Sequence, residues 1–183
     1  EVSAEYNIYK TTNSGINWFK VGNHICSNYL TDGKSTLYFL NESTGYATFK
    51  CRSQLNNVKV RVYKISNSGN NWNFISENEY NEASNILNAW KIHYINENIG
   101  YLQLSKGFFK TINGGVNWNN IYSPTYGILY DFEIGDDNQT IYVGGLAGLE
   151  PILPVLAYST NAGLNFTTIY NGTSEDKIGG IKC

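Results

Sequence analysis

A turn motif of eight residues occurs four times in this chain, and this repetition limits the available folds more than any other feature of the sequence. The copies, turn motifs 1 to 4, span residues 11–18, 65–72, 111–118 and 159–166. The third residue of each copy is Asn, and successive Asn positions (13, 67, 113 and 161) lie 54, 46 and 48 residues apart. An aromatic residue precedes each copy, and Trp or Phe ends it. This period predicts a β-repeat fold, since propeller blades recur at a spacing of about 40–50 residues.

Between the turn motifs, short apolar segments alternate with tight polar turns, which is typical of antiparallel strands. A second repeated motif, at 39–46 and 94–101, places an Asn-Glu turn before a Gly-Tyr pair. No window has the sustained apolar period of a helix. A helical turn is considered as an alternative only for residues 79–88. The predicted strands span residues 5–10, 17–21, 36–40, 46–51, 58–65, 71–75, 90–95, 101–104, 108–111, 128–134, 140–144, 155–160 and 165–170.

Sequential short strands in groups of four predict an all-β fold, a β-propeller built of four-stranded antiparallel blades. Each turn motif is expected on the hairpin between the third and fourth strands. The 183 residues are expected to form a single propeller domain over 1–183, or a fragment of one. About four repeats are visible, with units at roughly 1–30, 31–80, 81–125 and 126–183.

The two ends of the chain leave ring closure open. The first unit lacks its first two strands, whereas 177–183 resembles the first strand of a further unit. Three alternatives follow: an excerpt of a longer propeller, a small ring closed by the last strand, or a homo-oligomer in which a second chain completes the ring.

Each conspicuous residue of the turn motif has a folding role. The fifth residue, Gly, supplies a positive φ. The third residue, Asn, can accept backbone N–H bonds, and a first-position hydroxyl can bond to the same loop. The final aromatic ring is expected to pack beneath the turn. The motif residues are therefore predicted to be structural: Thr11, Asn13, Gly15, Trp18, Asn67, Gly69, Trp72, Thr111, Asn113, Gly115, Trp118, Ser159, Asn161, Gly163 and Phe166.

These residues resemble the Asp-box (BNR) repeat of sialidases, sortilin-like receptors and related propellers, whose pattern is Ser/Thr-x-Asp-x-Gly-x-Thr-Trp. Asn replaces the Asp in all four copies. The second motif, followed by Lys-Thr-x-Asn-Gly-Gly-x-Asn-Trp at 110–118, is similar to photosystem II stability/assembly-factor-like propellers and their secreted bacterial relatives. The resemblance covers nearly the whole chain and implies the fold. It does not choose an activity, because such propellers serve as enzymes, receptors and assembly factors alike.

The composition narrows the partners and the compartment. A net charge of −2 with 13 scattered Lys and Arg residues argues against nucleic-acid binding, and no apolar run is long enough to span a membrane. Because the chain contains no Met, residue 1 is not expected to be a natural start, and we expect that a signal peptide or an upstream region has been removed or that the chain is an excerpt. A secreted or cell-surface location is expected. Cys26, Cys51 and Cys183 have no metal-ligand spacing, and either one disulfide or a fully reduced set fits.

The candidates for catalysis are few. A sialidase needs three arginines for its substrate carboxylate, and the chain has only Arg52 and Arg61. Asp131 and Glu133 share a face of one predicted strand and are the strongest pair for two-carboxylate glycosidase chemistry. No catalytic residue, metal site or cofactor is predicted. The leading interpretation is a non-catalytic module that binds a protein or glycan, and the alternative is part of a glycan-active enzyme whose catalytic groups lie partly outside this chain.

Two regions are predicted to contact a partner. The innermost strand of each blade lines the central channel, and its candidate ligand-face residues are Tyr38, Trp90, Lys91, His93, Tyr130, Asp131 and Glu133, which could equally pack between blades. The second region is an apolar insertion at 145–154, where the equivalent turn in the third unit has only two residues. Its prolines resist strand pairing, and it either contacts a partner or folds over a blade edge. Its candidate contact residues are Leu146, Leu149, Ile152 and Leu153.

Overall fold

The protein is all-β in its computed structural model, and the predicted fold class is confirmed. The structure describes residues 7–22, 26, 30–31, 35–52, 58–80, 89–148 and 151–173. The strands lie in four antiparallel sheets, and the described residues contain one single-turn 3₁₀ segment at Asn67–Gly69. The chain divides into two compact units, Glu1–Tyr94 and Ile95–Cys183.

The first unit begins with a two-stranded sheet of β1 (Ile8–Lys10) and β2 (Phe19–Val21), which enclose turn motif 1. The second sheet contains β3 (Leu30–Thr31), β4 (Thr36–Phe39), β5 (Gly45–Arg52), β6 (Val58–Ser66) and β7 (Asn71–Tyr80). Both β3 and β4 pair with β5. The strand β3 was not predicted, because its two residues have no pattern of their own and are aligned by Arg52 and Cys51 of β5.

The third and fourth sheets have their strands in sequence order, as predicted for propeller blades. The third contains β8 (Ala89–Tyr94), β9 (Gly100–Leu104), β10 (Gly107–Thr111) and β11 (Asn119–Tyr122). The fourth contains β12 (Ile128–Ile134), β13 (Ile141–Ala147), β14 (Leu153–Ser159) and β15 (Thr167–Asn171). Turn motifs 2, 3 and 4 join β6 to β7, β10 to β11 and β14 to β15, the last two strands of the second, third and fourth sheets, which confirms their predicted place on a hairpin.

Some predicted elements differ from the structure. A helical turn is the alternative considered for residues 79–88. The strand β7 extends to Tyr80, so residues 79 and 80 belong to a strand, and 81–88 lies outside the described residues. The predicted strand at 177–183 also lies outside them. The insertion at 145–154 is shorter than expected, since Leu146 pairs with Pro154 and Ala147 pairs with Leu153. Pro154 fits the strand because its carbonyl still accepts a hydrogen bond, from the amide of Gly172 at 2.8 Å.

The strands β5 and β9 are the most buried elements of the second and third sheets. All five residues of β9 are buried, and so are seven of the eight in β5. In the first unit, β5 contributes Ala47, Phe49 and Cys51 to a core that also contains Cys26. Cys26 and Cys51 form a disulfide with a Cα–Cα distance of 5.4 Å, which settles the choice that the sequence left open for this pair.

Turn motifs 1, 3 and 4 share one hydrogen-bond network. In motif 3, the Thr111 hydroxyl accepts the amides of Asn113 (3.3 Å) and Gly115 (2.9 Å) and donates to Asn113 Oδ1 (3.0 Å). Asn113 Oδ1 then accepts the amide of Asn117 at 3.0 Å. The equivalent bonds in motifs 1 and 4 have nearly the same lengths. The predicted roles of the first hydroxyl and the third Asn are therefore observed in these copies.

Turn motif 2 has a different turn because its first residue is Ile65, which has no hydroxyl. Both Asn67 and Ser68 have φ of 51°, whereas in motif 1 the fourth residue, Ser14, is the non-glycine residue with positive φ. The side chain of Ile65 is fully buried instead, in the core of the first unit. The four copies are thus equivalent in position but not in hydrogen bonding.

The final aromatic residue of the motif is not buried in every copy. Trp72 packs against the core of the first unit and Phe166 against that of the second. Trp18, however, is 59% exposed, although its indole N–H donates to the carbonyl of Gly15 at 3.0 Å. The ring thus contacts its turn at Gly15, but the burial expected with this packing is not found for Trp18, because β1 and β2 alone form the first sheet in the described part of the chain.

We expect Thr111→Val to lower the free energy of unfolding by about 1–3 kcal/mol, because it leaves two backbone amides of a buried turn without their acceptor. Thr12→Val, at an exposed second position of a turn motif, is the control and should change it by less than about 0.5 kcal/mol. Urea unfolding followed by tryptophan fluorescence measures both. Equal effects of the two substitutions would contradict the role of the first hydroxyl.

Candidate functional site

A groove of about 320 Å³ lies in the first unit, between the β1–β2 hairpin and the second sheet. Tyr9 and Trp18 are more than half exposed there, as is Leu37 of β4. Phe39, the last residue of β4, is 42% exposed. The groove is therefore unusual in presenting several large apolar side chains to solvent together. Its apolar wall consists of Ile8, Tyr9, Trp18, Val21, Leu37, Phe39 and Trp72.

The rim of the groove carries a few polar groups. The ammonium group of Lys10 donates a hydrogen bond to the carbonyl of Ser68, in turn motif 2. Glu42, in the β4–β5 turn, and Thr11 complete the polar lining. A mainly apolar groove with a small number of directed polar groups suits an amphipathic ligand rather than a small ion.

The exposure of Leu37 is specific to the second sheet. Leu37 lies two residues before the end of β4, and the turn after β4 begins at Leu40. The residues at the same distance from the corresponding turns are Ile92 on β8 and Phe132 on β12. Leu37 is 52% exposed, whereas Ile92 is 2% and Phe132 is 0% exposed. The difference follows from the neighbours: Phe132 lies in one core with Tyr101 of the strand β9, whereas the first sheet has no strand beyond β1 and β2 among the described residues.

In the second unit, Tyr101 occupies the place that corresponds to the groove. Its hydroxyl donates to the carbonyl of Ala162 in turn motif 4 at 3.2 Å. The Lys110 ammonium donates to the same carbonyl at 2.7 Å and lies 5.5 Å from the centre of the Tyr101 ring. The ring also stacks on Phe108, with 5.7 Å between centroids. Burial raises the pKa of Tyr101 to about 12, so its hydroxyl stays protonated and donates at neutral pH.

Among its described residues, the first unit repeats this arrangement without the tyrosine. Lys10 and Lys110 each precede a turn motif directly, and Ser68 and Ala162 are each the fourth residue of one. Both lysines donate to the carbonyl of that fourth residue. Ile8 takes the position of Phe108 in its strand, opposite Val21 where Phe108 is opposite Tyr122. The groove therefore carries two of the groups that contact Tyr101 in the second unit, a lysine and the carbonyl of a fourth motif residue.

Of the predicted ligand-face residues, the structure brings Tyr38 and His93 together. Their ring centroids are 4.5 Å apart, and burial raises the pKa of Tyr38. Lys91 is half-buried on β8, while the side chain of Trp90 lies outside the described residues. Tyr38 and His93 therefore pack against each other, which corresponds to the blade-packing alternative for this pair.

The residues predicted in the fourth sheet lie on β12. Tyr130 is 40% exposed, and Asp131 and Glu133 are half-buried. Asp131 Oδ1 accepts the amide of Phe132 at 2.9 Å, a local backbone contact. Among the described residues, no group of three or more His, Cys, Asp and Glu side chains could hold a metal ion.

The predicted partner loop is only partly a loop. Leu146 and Leu153 are half-buried strand residues, so the expectation that they project from an insertion is wrong. Ile152 is 48% exposed between β13 and β14, and Leu149 lies outside the described residues. Among the described residues, four exposed large apolar side chains line the groove of the first unit, whereas the segment 146–153 contributes Ile152.

The sequence predicts a structural role for Trp18. Neither Leu37 nor Phe39 is among the residues that it predicts to contact a ligand or a partner. One signal was present in the sequence: the first repeat unit has two fewer predicted strands than the others. A sheet without its first two strands leaves the facing residues of the next sheet uncovered. Leu37 and Phe39, on the first strand of that next sheet, could have been identified from this reasoning.

A crystal structure of a GH74 enzyme from Niastella koreensis has a similar fold, with a TM-score of 0.52 and 13% sequence identity. The alignment covers 91% of this chain and 34% of the enzyme, so this chain spans about a third of that protein's length. At this identity the similarity shows the fold alone. The fold is that of a β-propeller. No protein-family model and no curated protein matches the chain.

The described residues contain no helix with the length and apolar character needed to cross a membrane.

Proposed function

We propose that this protein is a non-catalytic β-propeller module that binds a polypeptide partner in the groove beside its first hairpin. The observation that carries the proposal is the exposure of Leu37 and Phe39, at positions whose equivalents are covered elsewhere in the chain. Contiguous exposed apolar side chains rimmed by polar groups are typical of protein-binding surfaces. Aromatic anchors such as Trp18 and Tyr9 contribute strongly to such interfaces.

We further infer that the turn motifs are degenerate Asp-boxes. The shared hydrogen bonds of motifs 1, 3 and 4 support this, because the third residue, Asn, accepts an amide as an Asp would. A secreted or cell-surface location is part of the same proposal. The disulfide between Cys26 and Cys51 supports it, since disulfides persist mainly in oxidising compartments.

A glycan is the second candidate ligand. The exposed rings of Tyr9 and Trp18 favour a glycan ligand. Each ring offers an apolar face against which a ligand can pack, while the polar edge of the ring stays in water. The Niastella koreensis neighbour is a GH74 enzyme, which keeps open the alternative that the chain is part of a glycan-active enzyme. In that alternative, Asp131 and Glu133 would be the first residues to test.

The proposal is tested by screening the intact protein against a random peptide display library and a glycan array. We expect peptides to be selected, and Leu37→Ser to weaken their binding at least tenfold. Ile112→Ser is the matched control, because Ile112 is 66% exposed in turn motif 3, away from the groove. We expect the control to bind as the parent protein does.

Three results would contradict the proposal. If no peptide is selected, or if Leu37→Ser and Ile112→Ser behave alike, the groove is not a polypeptide-binding site. If glycans bind and Trp18→Ala abolishes that binding, the second candidate replaces the first. If the protein hydrolyses a glycan and either Asp131→Asn or Glu133→Gln abolishes turnover, the module is catalytic.

A further inference from the structure

We infer that the partner docks as an extended β-strand along the edge of β1 that faces away from β2, which is unpaired among the described residues, and inserts a tyrosine into the groove. This inference rests on the proposed function and specifies how the groove recognises a polypeptide. Its ligand class is a peptide segment with a tyrosine at one defined register position. In the second unit, the equivalent place is filled by the protein's own strand β9.

The edge of β1 is open in the described part of the chain. The strand pairs with β2, in the register Ile8 with Val21 and Lys10 with Phe19. The equivalent strand, β10, pairs with β11 on one side and with β9 on the other. An exposed strand edge can add a further strand through backbone hydrogen bonds, which is a recurring way of binding extended peptides.

The wall of the groove that β4 forms resembles the contacts between neighbouring blades. In the third sheet, Tyr94 is fully buried and stacks on Tyr46 of β5 with 3.5 Å between centroids. In the fourth sheet, Phe132 lies 4.7 Å from Phe108, centroid to centroid. Phe39 is the equivalent of Tyr94 and is 42% exposed. The groove therefore resembles the contacts that Tyr94 and Phe132 make with a neighbouring sheet. A docked strand would cover it.

The chemistry at the end of the groove selects a tyrosine. Tyr101 shows what such a side chain would contact: a lysine above its ring and the fourth-residue carbonyl of the next turn motif. In the first unit these groups are Lys10 and the carbonyl of Ser68, already joined to each other by a hydrogen bond. A phenol ring inserted there would lie below a cation and donate its hydroxyl to a carbonyl, whereas an aliphatic side chain would do neither.

The register follows from the pairing of β9 with β10. Tyr101 lies opposite Lys110, Leu102 opposite Phe109 and Gln103 opposite Phe108. Transferred to β1, the partner's tyrosine lies opposite Lys10 and its next residue opposite Tyr9. An antiparallel orientation is therefore expected, with the residue after the tyrosine on the other face of the added strand.

The test uses a synthetic peptide with the sequence of residues 98–105, Asn-Ile-Gly-Tyr-Leu-Gln-Leu-Ser, extended by two lysines for solubility. Binding to the intact protein is measured by titration calorimetry, and amide hydrogen exchange is measured with and without the peptide. We expect saturable binding, with slower exchange of the β1 amides that do not pair with β2. Replacing the peptide's tyrosine by alanine should weaken binding at least tenfold, and replacement by phenylalanine should weaken it about two- to tenfold, the value of one hydrogen bond.

Each other outcome would overturn the inference. No binding at 1 mM peptide, on the order of a weak specific affinity, contradicts it directly. Slow exchange of all β1 amides in the free protein would show that the chain covers this edge with its own residues. If display-selected peptides bind and lose affinity with Leu37→Ser but do not depend on a tyrosine, the proposed function survives and the strand mode fails. Binding of peptide to Leu37→Ser as well as to the parent would remove both.

Discussion

Gly145→Ala should destabilise the protein by about 3 kcal/mol, a large effect for the addition of one methyl group. A Cβ atom at this position would lie 2.1 Å from the carbonyl oxygen of Ile128 and 2.8 Å from the Cα of Leu129. Both are backbone atoms of β12, so neither can rotate away as a flexible side chain would. The pairing of β12 with β13 would have to open, and most of the buried residues of β12 would shift with it.

The control for this prediction is Gly135→Ala. The atoms nearest to a Cβ there belong to the side chains of Asp137 and Thr140, at 3.3 and 3.4 Å. We expect its free energy of unfolding to stay within about 1 kcal/mol of the parent value. Urea denaturation with circular dichroism measures both variants. A midpoint for Gly145→Ala equal to that of Gly135→Ala would show that β12 and β13 do not approach so closely.

Removal of the Cys26–Cys51 disulfide is the second large effect that we expect. The two cysteines are 25 residues apart in sequence, and closing a loop of this length in the unfolded chain corresponds to about 3.5 kcal/mol of stability. Both sulfur-bearing side chains are fully buried in the core of the first unit. The reduced protein should therefore unfold at a clearly lower urea concentration than the oxidised protein.

The measurement compares urea midpoints with and without dithiothreitol in a Cys183→Ser background, which prevents exchange with the third cysteine. The double variant Cys26→Ala, Cys51→Ala serves as the control, because reductant should not change its midpoint. An oxidised protein whose midpoint is insensitive to dithiothreitol would contradict a stabilising disulfide between these residues.

The strand order and the hairpin position of the turn motifs could be predicted from the sequence because their causes are local. Alternating apolar residues in 58–65 and the Gly and Asn residues of the motifs act over a few positions. The network around Thr111 follows in the same way from a hydroxyl, an Asn and a Gly at fixed spacing. Ile65, at the first position of motif 2, has no hydroxyl, and this copy forms a different turn for an equally local reason.

The remaining features depend on which strands become neighbours, and a single strand does not contain that information. Leu37 and Ile92 have similar chemistry, and only the presence or absence of an adjoining strand makes one exposed and the other buried. The sequence predicts a strand that ends at Gly144, yet β13 continues to Ala147 because Gly145 allows β12 to approach. The candidate site was missed for the same reason, since Trp18 has the sequence context of a buried motif residue.

The central claim is that the groove of the first unit receives a tyrosine from a strand added beside β1. Isotope-filtered nuclear Overhauser measurements on the labelled protein with the unlabelled 98–105 peptide test it most directly. We predict contacts from the tyrosine ring protons to the methyl groups of Leu37 and Ile8, both of which line the groove. Saturable binding with ring contacts to other methyl groups, and none to these two, would contradict the claim.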